Sequence, residues 1–145
     1  MRLKELSQLY YLSKEIEMDQ QRLEELRSRA ESPSSPVLTG MPINHTNESR
    51  VERYAIKIVD LEAIIAKKQQ QCIYERNRLE QFIGDIDDSL TRQIFTLRCV
   101  HGQGWLEIAD NVGGGNTCDG VRMRFYRHLK KVKTGYKMLH NVIAQ

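Results

Sequence analysis

The sequence predicts an all-α protein, and three observations lead to that prediction. Apolar residues recur at alternating spacings of three and four along most of the 145-residue chain. This is the period of helices that pack along a seam. The chain has only three prolines and nine glycines to interrupt helices, and aromatic residues, which favour strands, make up only 7% of it.

The first predicted helix occupies the N-terminal region. Its apolar row consists of Leu9, Leu12, Ile16, Asp19, Leu23, Leu26 and Ala30. Asp19 is the one polar member of this row. The helix should end before Pro33, because proline cannot continue a helix and disfavours helical geometry in the residue before it. A linker is expected over residues 32–46, where further prolines and a glycine follow.

The second predicted helix runs from Asn47, a suitable capping residue, to Ile86. Its row consists of Val51, Tyr54, Ile58, Leu61, Ile65, Lys68, Cys72, Glu75, Leu79, Phe82 and Ile86. Such a sustained 3.5-residue period is typical of coiled coils. The partner can be the first helix, folded back as a long antiparallel helical hairpin over residues 1–86, or a second copy in a homodimer. Both can hold, because a polar residue such as Asp19 or Lys68 in a seam often sets register or oligomeric state.

Residues 87–145 are predicted to form a C-terminal helix-turn-helix domain with a C-terminal helical tail. An amphipathic segment carries Leu90, Ile94 and Leu97 at helical spacing, can be capped at residues 87–89 and ends at Gly102. A short segment runs from Trp105 to Gly113, and Thr117 can cap a third. The third segment carries Val121, Phe125 and Leu129 on one face. A short helix, a turn and a basic helix are the parts of a helix-turn-helix, whose second helix enters the DNA major groove.

The charge distribution favours a nucleic-acid partner. The chain has a net charge of +3, but residues 117–145 hold seven Lys and Arg and one Asp, so the rest of the chain is acidic. The candidates for contacts with base edges are Arg122, Met123, Tyr126 and Arg127. The candidates for phosphate contacts are Arg124, Lys130 and Lys131, together with the helix N-terminal amides around Asn116 and Thr117.

Other classes of function find little support in the sequence. No nucleophile, base and acid can be assembled into a catalytic set, so no enzyme activity is expected. The run Gly113–Gly115 lacks the Lys and Ser/Thr of a phosphate loop, and no metal-ligand spacing is recognisable, so no cofactor is expected. Three widely spaced cysteines and the absence of a long apolar run or signal peptide indicate a cytoplasmic protein without a membrane partner.

A family resemblance rests on the C-terminal motifs. Residues 94–99 (IFTLRC), then Gly102, then residues 105–109 (WLEIA) resemble the promoter-recognition domain, region 4, of sigma factors. With the preceding hairpin and the stretch IVDLE at residues 58–62, the arrangement over residues 30–132 is similar to short phage and prophage sigma-like transcriptional regulators of the ArpU and RinA type. Many of these are labelled only as domains of unknown function. The resemblance implies a regulator of transcription that binds double-stranded DNA, with RNA polymerase as a further partner.

One departure from the sigma-like pattern concerns the glycine turn. Val121 lies nine residues after Val112, where about seven are usual in the family, so the turn is longer. The sequence therefore leaves open which side chains of the basic helix face the groove.

Two other functions remain open from the sequence. Small terminase subunits, which recognise DNA for packaging, also join a helix-turn-helix to an oligomerising coil. Alternatively, the hairpin binds another protein without any contact to DNA, and the basic helix only adds solubility.

Overall fold

The computed structural model describes residues 2–32 and 49–143, with side chains described up to residue 134. The described residues form five α-helices and one π-helical turn, and they include no strand. These elements are α1 (Leu3–Glu31), α2 (Arg50–Gly84), α3 (Ser89–Phe95), the π turn (Thr96–Val100), α4 (Trp105–Val112) and α5 (Cys118–Ile143). The all-α prediction is confirmed for this part of the chain. The predicted linker beyond Ser32 and the predicted cap Asn47 lie outside the described residues.

Helix α2 is capped by Ser49. The Ser49 hydroxyl accepts a hydrogen bond from the Glu52 N–H at 3.2 Å, and the Glu52 carboxylate accepts one from the Ser49 N–H at 3.3 Å. This reciprocal arrangement satisfies two backbone donors at the helix start. The helix ends at Gly84, two residues before the predicted end, because the Ile86 N–H bonds to the Ile83 carbonyl in a tighter turn.

Residues 14–70 form one compact unit. Its apolar core contains Leu23, Leu61 and Ile65, which come from the two predicted apolar rows. Ion pairs join the helices of this unit, among them Asp19 with Lys68 at 2.5 Å and Arg27 with Glu62 at 2.7 Å. As the residue number rises along α1 it falls along α2, so these two helical segments run in opposite directions.

Residues 2–13 and 71–143 belong to the other compact unit. Phe95 and Phe125 stack at its centre with their rings 4.3 Å apart, and neither is more than 2% exposed. The ends of the two long helices share this core, to which they contribute Leu6, Leu9, Leu79 and Ile83. The core therefore crosses residue 86, the domain boundary expected from the sequence.

Asp88 starts α3, as its position predicted. Its carboxylate accepts a hydrogen bond from the Thr91 N–H at 2.9 Å and another from the Thr91 hydroxyl. The regular helix ends at Phe95, and the backbone then widens into the π turn, where the His101 N–H bonds to the Thr96 carbonyl five residues back. Gly102 follows with φ +70°, a conformation that favours glycine.

Candidate nucleic-acid interface

The connection between α4 and α5 is a glycine turn with a defined geometry. Gly113, Gly114 and Gly115 all adopt positive φ, between 60° and 74°. The Asn116 side chain donates a hydrogen bond to the Gly113 carbonyl at 2.8 Å, and its backbone N–H bonds to the same carbonyl at 3.2 Å. These two hydrogen bonds of Asn116 hold the turn closed.

Helix α5 begins immediately after this turn. The Thr117 hydroxyl accepts a hydrogen bond from the Gly120 N–H at 3.1 Å, which confirms Thr117 as the predicted cap. A β-carbon on Gly120 would lie 3.0 Å from that hydroxyl, so the glycine leaves room for the cap.

One face of α5 is buried and fixes the orientation of the helix. Val121, Phe125 and Leu129 are at most 4% exposed, as their helical spacing predicted. The Phe125 ring also meets Trp105 of α4 edge to face at 5.2 Å. Because three turns of one face are locked into the core, the opposite face must point to solvent.

The exposed face of α5 gathers most of the predicted site residues. Met123 is 51% exposed and Tyr126 is 46% exposed. One shallow groove is lined by Arg122, Met123, Tyr126, Arg127 and Lys130, and the adjoining groove is lined by Arg127, Lys130, Lys131 and Thr134. We call six of these residues the basic face: Arg122, Met123, Tyr126, Arg127, Lys130 and Lys131.

Thr134 was not among the predicted site residues. It lies one turn after Lys130 on the same side of the helix, and its hydroxyl donates a hydrogen bond to the Lys130 carbonyl at 3.0 Å. Its position four residues after Lys130 is the sequence feature that could have identified it. A prediction that considers only charged side chains does not include this neutral residue.

The cations of the basic face differ in how far the protein itself neutralises them. Arg122 is 3.1 Å from Asp119 on the preceding turn, but both side chains are more than half exposed. Such an exposed pair contributes little and can exchange partners. Arg127, Lys130 and Lys131 form no ion pair with any side chain in the described part of the chain.

Three predicted site residues have structural contacts away from the basic face. Arg124 forms an ion pair with Asp88 at 3.6 Å and so joins α5 to the start of α3. The Asn116 amide closes the glycine turn, and the Thr117 hydroxyl caps α5. The side chains of these three residues thus support the elements that position the basic face.

His128 adds no cation to this surface at neutral pH. Its imidazole packs edge to face against Phe95 at 5.4 Å and against Phe82 at 6.5 Å. Burial lowers the pKa of His128 below its ordinary value of 6.5, and the positive charge of Lys131 lowers it further. The imidazole therefore favours its neutral form, and it packs at the edge of the core.

The described residues contain no group of three or more His, Cys, Asp or Glu side chains arranged to hold a metal ion. Among the helices described, none is long and apolar enough to cross a membrane. In comparisons with known proteins, the chain matches no protein-family model, no curated protein and no solved structure.

Proposed function

We propose that this protein is a DNA-binding regulator of transcription in which α4, the glycine turn and α5 act as a helix-turn-helix. The observation that carries the proposal is the basic face, where three cations lack an ion pair with the described residues and lie on the side of α5 opposite its buried stripe. An unneutralised cationic helix face is what phosphate binding requires.

The dimensions of a helix suit this role. An α-helix with its side chains is about 10–12 Å wide, and the major groove of B-DNA is about 12 Å wide. In this arrangement Arg122, Met123, Tyr126 and Arg127 face base edges, while Lys130 and Lys131 contact phosphates. Arg124 has a positioning role through Asp88.

The sigma-like resemblance extends the proposal to the type of regulator. It suggests a phage or prophage protein that acts in the cytoplasm, without enzyme activity, and that contacts RNA polymerase as well as DNA. The antiparallel ion pairs and the shared apolar core of residues 14–70 support a coiled-coil hairpin ahead of the DNA-binding helices.

A homodimer is the second part of the proposal. Within residues 14–70, α2 has another row at three-four spacing on its exposed side, formed by Ile56, Val59, Ala63 and Ala66. Ile56 is 60% exposed and Val59 is 62% exposed. Asp60 and Lys67 follow this row, so two antiparallel copies would place opposite charges against each other. Light scattering should give a dimer for the unmodified chain and a monomer for Ile56→Glu/Val59→Glu, whereas identical masses for the two proteins would contradict it.

Fluorescence anisotropy with labelled duplex DNA tests the main proposal. The protein should bind with an affinity that falls as salt rises, since each phosphate contact contributes about 0.9 to the slope of log affinity against log salt. Replacing Arg122 and Arg127 together by alanine should weaken binding at least about tenfold, because both side chains are proposed to contact base edges.

A matched control distinguishes the effect of the basic face from the effect of net charge on DNA binding. Arg22→Ala/Arg76→Ala removes the same net charge from exposed positions of α1 and α2. This control should bind DNA nearly as tightly as the unmodified protein. Equal losses of DNA affinity in the two double variants, or an affinity that does not depend on the salt concentration, would overturn the proposal.

A further inference from the structure

A half-open pocket of about 370 Å³ lies beside α5, within the unit that holds residues 2–13 and 71–143. Leu6, Cys99 and Phe125, each at most 5% exposed, form its floor. Its walls are aromatic and are formed by Tyr10, Tyr11, Trp105 and Tyr126. The volume lies in the range of pockets that bind small molecules, about 300–1,000 Å³.

Arg98 is the one charged side chain that lines this pocket. Its guanidinium carbon lies 4.6 Å from the centre of the Trp105 ring, and one N–H donates a hydrogen bond to the Gln103 carbonyl at 2.7 Å. These two contacts fix the guanidinium in place. No carboxylate of the described residues forms an ion pair with it, so its remaining N–H donors lack an anionic partner.

The backbone around Arg98 departs from a regular helix. Arg98 and Cys99 lie on the π turn, a widened helical geometry that is often found at functional sites. Opposite them, Tyr10 packs directly on Gly102, where an added β-carbon would come within 2.6 Å of the tyrosine ring. The wall formed by Tyr10 is therefore set by a close contact with the backbone.

The chemistry of the other lining groups leaves the positive charge of Arg98 uncompensated. Burial raises the pKa of the Cys99 thiol to about 12, so this group is neutral at physiological pH. The remaining polar groups of the pocket are hydroxyls, from tyrosines and Ser7. A ligand that fits must offer a flat apolar body to the aromatic walls and an anionic group to the guanidinium.

We propose that this pocket binds a small aromatic carboxylate, with the carboxylate on Arg98 and the ring between the tyrosines and Trp105. A guanidinium fork matches a carboxylate in geometry and charge, and aromatic walls favour edge-to-face or offset contact with a ring. The proposal concerns binding of a ligand and does not depend on DNA binding.

The fluorescence of Trp105 provides a direct measurement of ligand binding, because it is the only tryptophan of the chain. Phenylacetate is added to the full-length protein while the intrinsic fluorescence is recorded. Phenylacetamide is the neutral analogue of the same shape, and acetate carries the charge without the ring. The emission should change saturably with phenylacetate, with binding of either other compound at least about tenfold weaker because it lacks one of the two interactions.

Variants connect the signal to the pocket. Arg98→Met should abolish the saturable change, while Arg76→Met, which removes an exposed arginine outside the pocket, should leave it intact. Tyr11→Ala removes a wall residue that is 62% exposed, so the fold should lose little packing, and it should weaken binding at least about fivefold. Circular dichroism checks that each variant is folded. If Arg98→Met does not fold, the binding measured with Tyr11→Ala decides the test. Equal binding of phenylacetate and phenylacetamide, no saturable change with phenylacetate, or full binding by Tyr11→Ala would overturn the proposal.

Discussion

Asp19, the one polar side chain in the apolar row of α1, pairs with Lys68, a polar member of the row of α2. Their charged atoms lie 2.5 Å apart, and Glu15 lies 3.5 Å from the same Lys68 nitrogen. The hydrogen bond to Asp19 is the main reason that the pKa of Lys68 is raised above its ordinary value of 10.5. The pair forms in one register of the two helices, because a shift by one residue would turn the side chains away from each other.

The Asp19–Lys68 pair should contribute more to register than to stability. We expect Asp19→Leu alone to lower the free energy of unfolding, because Lys68 then keeps its charge beside an apolar seam. Asp19→Leu/Lys68→Leu should recover or exceed the stability of the unmodified protein, because two apolar side chains complete the seam. Urea unfolding measures both variants. A double variant as unstable as the single one would contradict this account.

The contact of Tyr10 with Gly102 predicts that Gly102 tolerates no side chain. Gly102→Ala should lower the free energy of unfolding by about 1–3 kcal/mol, since it combines a positive φ with a clash against the tyrosine ring. Gly84→Ala is the matched control, because a β-carbon there meets no atom within 4 Å and φ is not positive. Equal unfolding midpoints for the two variants in urea would argue against the observed contact.

Asp88 should make the stability dependent on pH in the acid range. Hydrogen bonds from Thr91 lower the pKa of Asp88 below its ordinary value of 3.8, with further contributions from Arg124 and Arg92. A carboxyl with a lowered pKa stabilises the fold above its unfolded pKa, and that contribution is lost as the pH falls through the folded pKa. We expect Asp88→Asn to lower the melting temperature at neutral pH. The difference from the unmodified protein should shrink below about pH 4, and a constant difference across the whole range would exclude this cause.

Arg124 and Arg127 lie one turn apart on α5 but should differ in their effect on DNA binding. Arg127→Ala should weaken binding about tenfold, because it removes an unpaired cation of the basic face. Arg124→Ala should change the affinity less than about threefold, because that side chain pairs with Asp88. Anisotropy titrations at one salt concentration compare the two variants. A larger loss for Arg124→Ala would place the DNA-binding surface on another side of α5.

The parts of the fold that depend on the helical spacing of apolar residues were predictable from the sequence. The rows in α1, α2 and α5 gave the helices and their buried faces, and Asp88 and Thr117 gave two helix starts. These are local properties of a few consecutive turns. The glycines at 113–115 gave the position of the turn, although its internal closure by Asn116 was not predicted.

The long-range contacts could not be read from the sequence. Phe95 lies outside the predicted row of its segment, yet it stacks on Phe125 at the centre of the core. The Arg124–Asp88 pair and the contact of Tyr10 with Gly102 join residues 36 or more positions apart, and no local pattern marks such partners. The predicted helix does continue through Leu97, but from Thr96 to Val100 it is a π turn, and no sequence pattern marked that widening of the backbone.

An NMR titration of the isotope-labelled protein with duplex DNA tests the central claim most directly, because each backbone amide reports on its own surroundings. We predict that the largest shift changes fall on residues 113–131, at the glycine turn and along the basic face of α5, with small changes in residues 14–70. Changes concentrated in residues 14–70, or no changes at DNA concentrations well above that of the protein, would contradict the assignment of α5 as the DNA-binding helix.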